Sequence, residues 1–81
     1  MASILTLSEN ELWLSLPREL SLNDIHYIVK EECQSLKHSV TGKDLIIKGR
    51  GTVTMLNIIA NELNDSYKSC VIDVETQLAA Y

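Results

Sequence analysis

The sequence predicts a small layered α/β domain, ordered β-β-α-β-α-β, with a mixed sheet and two helices. Three observations predict it. Leu12, Leu14 and Leu16 alternate with Glu11, Trp13 and Ser15, the two-residue period of a half-buried strand. Leu22, Ile25, Val29, Cys33 and Leu36 recur at helical spacing behind Ser21. Two aliphatic runs of strand length, "KDLIIKG" and "SCVIDVE", flank a second segment of helical period. Strand, helix and strand in that order make a parallel unit with a right-handed crossover. The helices must then cover the sheet, in two or three layers.

Taken in order, "SILTL" (3–7) and "ELWLSL" (11–16) read as a hairpin around the turn-forming "SEN". Pro17 closes it, because proline cannot donate to a ladder. Ser21 is an N-cap and Asp24, three residues on, completes a capping-box pattern, with Leu20 and Ile25 placed as a hydrophobic staple. The first helix is predicted over 22–36 and a loop over 37–42. "KDLIIKG" (43–49) is a strand whose three consecutive large aliphatics imply burial on both faces and a central position. The second helix is predicted over 52–64, with Val53, Leu56, Ile59, Ala60 and Leu63 inward and Asn64 and Asp65 as stop signals. "SCVIDVE" (69–75) reads as a buried strand, and "TQLAAY" as a tail that adds a strand or docks on a partner subunit.

Eighty-one residues make one domain with a thin core, for which oligomerisation is a common remedy. A hydrophobic fraction of 46% is too high for a disordered chain. The absence of Phe makes the core aliphatic. No apolar run reaches the roughly 20 residues of a membrane span, so a cytoplasmic, reduced domain is expected, with Cys33 and Cys70 as free thiols. The reading stays open to a piece of a longer protein, whose anchoring would then be a separate matter. No metal and no cofactor are expected, because no Cys/His cluster has ligand spacing. Net charge is −4, yet Lys37, Lys43, Lys48 and Arg50 fall within fourteen residues, opposed only by Asp44. One basic patch on an acidic body suits a compact anion better than a long phosphate backbone.

Gly49-Arg50-Gly51 is the sharpest feature. Between a strand's carboxyl end and a helix N-terminus, such a turn lies where parallel α/β units bind ligands. The first helical N–H groups there are unpartnered and attract phosphate. Glycines admit close approach, and Arg50 supplies a planar fork of donors. Lys48, Thr52, Val53 and Thr54 complete the candidate site. Equally, the glycines serve a tight connection and Arg50 a solvated loop. Neither the P-loop spacing nor GxGxxG is satisfied.

"KDLIIKGRGTVTMLNIIANEL…SCVIDVE" resembles the heart of a small CRISPR-associated family that binds cyclic oligoadenylates in type III systems, some of whose members are ring nucleases. The resemblance covers roughly residues 3 to 75 and rests on Gly49-Arg50-Gly51, with Asp73 a weaker match. It implies a phosphate loop formed by the Gly-Arg-Gly segment, joined by Thr52. Ring nucleases carry a proline, an aromatic and histidines where this chain has Thr52, Thr54, Leu56, Asn61 and Asp65. Their Asp-Pro-Arg-Leu-Gly turn and their last strand or strands are also absent. The resemblance therefore implies a sensor domain of an antiviral effector that binds cyclic tetra-adenylate as a homo-oligomer, a dimer or tetramer, without efficient turnover. Long nucleic acid is not an expected partner.

His26 and His38 are the candidate proton carriers, but both lie far in sequence from the Gly-Arg-Gly segment and read as helix and loop surface residues. Asp73 reads either as a base or as a partner of Lys48 or Arg50. Trp13, opposite the three leucines, reads as interface packing. Slow ring opening by the ligand's own hydroxyl, held in line, stays open as an alternative. So does an Alba-like nucleic-acid binder.

Overall fold

The computed structural model describes residues 3–77. The element order is β1 (Leu5–Ser8), β2 (Glu11–Leu14), α1 (Leu22–Val40), β3 (Asp44–Thr52), α2 (Val53–Leu63) and β4 (Ser69–Gln77). The strands lie side by side in chain order. β1 and β2 form the antiparallel hairpin, while β2–β3 and β3–β4 are parallel. The small mixed α/β domain expected from the sequence is therefore the observed fold.

Both helices cover one face, in two layers. Strand parity puts Leu5, Leu12, Leu14, Leu45 and Ile47 beneath them, where they pack with Ile25, Val29, Cys33, Val40, Met55, Ile59 and Leu63. Each such aliphatic side chain removed from water contributes about 1.5–3 kcal/mol. Glu32 of α1 ties the helix layer to the sheet. Its Oε1 accepts from the Ile4 and Leu5 amides at 2.9 and 3.0 Å, satisfying the first donors of the hairpin.

Several expectations are corrected. α1 continues to Val40 through the predicted loop, because Val40 falls on the buried stripe and Gly42, at φ +73°, supplies the left-handed exit. On α2 the inward stripe is Met55, Ile59 and Leu63, whereas Val53 and Ala60 are exposed. Ile59 and Leu63 point inward as expected, Leu56 is half-buried, and Met55 takes the place in the stripe that was expected of Val53 and Ala60. β3 is central, but only one of its faces is covered: Leu45 and Ile47 are buried and Ile46 is half-buried. β4 is an edge strand, with Val71 and Ile72 59% and 55% exposed, not a buried one. The expected roles for the tail beyond Gln77 lie outside the described residues.

Candidate functional site

The Gly-Arg-Gly segment is not a turn. Gly49, Arg50, Gly51 and Thr52 continue β3 and stand in register with Val74, Glu75, Thr76 and Gln77 of β4. The two glycines have packing reasons. Gly49 adopts φ +101° opposite Leu14, and a Cβ there would run into the Leu14 carbonyl oxygen and lie 2.8 Å from its amide nitrogen. Only glycine lets the end of β2 approach this closely. At Gly51 a Cβ would meet the Leu14 side chain at 2.8 Å and that of Met55 at 3.4 Å.

The start of α2 is closed by its own side chains. Thr52 is 8% exposed, and its hydroxyl accepts from the Met55 amide at 3.1 Å. The Thr52 amide in turn donates to the Met55 sulfur at 3.3 Å. This is a capping box in which a thioether stands where glutamate usually does. Val53 and Thr54 are exposed on the first turn.

A cavity of about 540 Å³ lies beyond the carboxyl end of β2 and against Arg50 near the carboxyl end of β3. Arg50 lines it from β3. Leu16, Pro17, Arg18 and Leu20 line it from the β2–α1 loop, and Ser21, Leu22 and Ile25 from the start of α1. The sequence folds this way for local reasons. Pro17 prevents β2 from pairing further, and Ser21, extended at ψ 159°, caps α1 by accepting from the Asp24 amide at 3.2 Å. The cavity therefore combines two exposed guanidinium groups, the positive end of a nineteen-residue helix and an apolar floor. Neither arginine forms an ion pair among the described residues, where the one salt bridge is Lys48–Glu11. The wall carries no histidine, carboxylate or lysine.

Of the seven residues singled out in the sequence, only Arg50 lines this cavity. Lys48 points to the uncovered sheet face, where its Nζ is 3.5 Å from Glu11 and 5.3 Å from the Trp13 ring centroid. Trp13, 43% exposed, also donates its indole N–H to Glu11 at 3.3 Å. Asp73 is the register partner of Lys48, but the ammonium turns to Glu11 instead. The basic run does not assemble either. Lys43 donates to the Glu9 carbonyl at 2.7 Å before the start of β3. Seven residues of extended strand, roughly 23 Å at about 3.3 Å each, separate it from Arg50.

Arg18 is the residue missed. A signal was present: a basic residue between a strand and a helix N-cap, at the same topological position that drew attention to Arg50. Neither histidine lines the cavity. His26 is half-buried on α1, and its Nε2 is enclosed without a partner among the described residues. His38 is exposed in the last turn of α1.

Cys33 and Cys70 are both free. Burial, reinforced by the Glu62 and Glu32 carboxylates, pushes the Cys33 thiol up to about 12. Burial also raises Cys70. No group of three or more potential metal ligands occurs among the described residues, and no helix there is long and apolar enough to cross a membrane. Compared with known proteins, the chain matches no family model, no curated protein and no solved structure.

Proposed function

We propose that this domain binds a cyclic oligoadenylate, cyclic tetra-adenylate first among them, as the cytoplasmic sensor domain of a type III CRISPR antiviral effector. The observation that carries the reading is the cavity beyond the carboxyl end of β2, with Arg18 and Arg50 on its wall. Phosphate oxygens accept from the two guanidinium groups, which are suited to them by shape as well as charge. The first turn of α1 adds its positive end. Leu16, Leu20, Leu22 and Ile25 supply apolar surface for a nucleobase.

A cavity of about 540 Å³ accommodates a nucleotide-sized part of such a ring, not all of it. The ring is therefore shared between copies in a symmetric dimer or tetramer, each presenting Arg18 and Arg50. Pooling the arginines offsets the net charge of −4. The wall offers cations and apolar contact but no side chain suited to move a proton, which supports binding without efficient turnover. Lys48 and Gly49 to Thr52 act in this reading as the strand that carries Arg50, and Val53 and Thr54 as exposed neighbours at the start of α2.

The test is direct binding of cyclic tetra-adenylate, linear oligoadenylate and duplex DNA, with the nucleotide recovered and separated by chromatography. The reading expects tight binding of the ring alone and recovery of the ring intact. Equal weak affinity for all three sinks it. Rapid conversion to linear product makes the domain an enzyme.

A further inference from the structure

Among the described residues, the outer side of β4 is the longer of the two unpaired sheet edges. It is an extended strand of nine residues, roughly 30 Å at about 3.3 Å per residue. β3 pairs with one side of it, and nothing among the described residues pairs with the other. Natural edge strands are kept apart by lysine, proline, bulges or brevity. Ser69–Gln77 contains no lysine and no proline, and it is the longest strand together with β3. It also carries Val71 and Ile72, 59% and 55% exposed, on opposite faces of the sheet. An edge of this kind takes an extended backbone, and the side chains say which one.

We infer that β4 pairs antiparallel with β4 of a second copy, about a two-fold axis at Ile72, joining two four-stranded sheets into one of eight strands. The register follows from charge and from the length of strand it pairs. With Ile72 opposite Ile72, Cys70 faces Val74, Val71 faces Asp73, and Ser69 faces Glu75. No carboxylate meets another, and the helix-side row of Cys70, Ile72 and Val74 is apolar throughout. Moving the axis to Asp73 places two aspartates face to face, which is destabilising in a cross-strand pair. Moving it to Val74 sets Asp73 against Glu75. Half-step registers would oppose residues from opposite faces of the pleat and are excluded, and an axis at Val71, which also avoids carboxylate pairs, would pair only Ser69–Asp73, against Ser69–Glu75 for the axis at Ile72. The axis at Ile72 thus pairs a strand with two acidic residues to itself without repulsion.

In this dimer the parallel strands of the two copies run in opposite directions, so the two Arg50 cavities lie at opposite ends of the joined sheet. The interface is therefore additional to any contact that gathers arginines around one ligand, and it forms without ligand.

Sedimentation of the ligand-free protein over a wide concentration range tests it, with Ile72→Lys as the variant. Wild type is expected to dimerise, and Ile72→Lys to raise the dissociation constant at least tenfold with an unchanged far-ultraviolet circular dichroism spectrum. Cysteine crosslinking in a Cys70→Ser background gives a second readout that does not depend on how Ile72→Lys folds. Ile72→Cys is expected to form a disulfide-linked dimer, because directly opposed Cβ atoms lie about 4.5–5.5 Å apart. Glu75→Cys is not, because its symmetry mate is six residues away along the pairing. A wild type that stays monomeric overturns the inference. So does a well-folded Ile72→Lys that assembles like wild type, or crosslinking at Glu75 as fast as at Ile72. Arg50→Ala, which tests the ligand site, leaves this assembly unchanged, so the two ideas fail separately.

Discussion

Gly49 and Gly42 both adopt positive φ, yet they hold different amounts of structure. Around Gly42 there is open space, while a Cβ at Gly49 meets the Leu14 backbone. Gly42→Ala is expected to cost about 1 kcal/mol, the penalty of a left-handed backbone alone. Gly49→Ala is expected to cost roughly 3 kcal/mol or more, since strain and a backbone collision add. Urea unfolding of the two variants separates them, and equal losses would contradict the close approach. Cys33 gives a second residue-scale expectation. Its thiol stays neutral in the folded protein up to about pH 12, whereas an ordinary thiol ionises near 9.0. Below pH 9 both states hold the proton and nothing changes. Above it the unfolded chain releases the proton first, so this residue makes stability fall by about 1.4 kcal/mol per pH unit until the folded value is reached. Cys33→Ala is expected to flatten the alkaline limb of the stability profile, and an unflattened limb would contradict it.

At the scale of elements, the sequence revealed what period and capping can reveal. The alternating leucines of β2 and the stripe behind Ser21 on α1 appear where expected, because both are local and both are buried on one side. The reading of Gly49-Arg50-Gly51 as a turn failed because its cause is not local. The glycines answer to Leu14, thirty-five residues earlier, and no pattern around residue 50 records that. β4 was misplaced for a related reason. "CVIDV" has the composition of a buried strand, and only the strand order reveals that it stands at the edge. The candidate site was legible in principle but not in place. The carboxyl end of a parallel strand is where the cavity lies, yet its helix is α1, not α2. The closed start of α2 is testable. Thr52→Ala removes an N-cap, which is expected to cost about 1 kcal/mol. In a domain this small that lowers the melting temperature by roughly 4–8 °C. Thr52→Ser, which keeps the accepting oxygen, should recover most of it. Equal losses in the two variants would show that the methyl group, not the cap, supplies the stability.

At the scale of the whole molecule, an acidic chain presents two arginines at one end of its parallel strands and keeps its other cations elsewhere. Lys48 is held by Glu11 and Trp13, and Lys43 by the hairpin turn. Positive charge is thus concentrated where the βα loop, the end of β3 and the first turn of α1 converge. In the function proposed above, this place binds the phosphates of a cyclic oligoadenylate. Calorimetric titration of cyclic tetra-adenylate into wild type, Arg18→Ala, Arg50→Ala and the double variant tests it most directly. Both side chains are exposed, so the fold should survive their removal. A charge-assisted hydrogen bond contributes about 1.5–3 kcal/mol, so each single variant is predicted to bind at least tenfold more weakly and the double variant not measurably. Wild-type affinity in the folded double variant would show that the arginines do not hold the ligand.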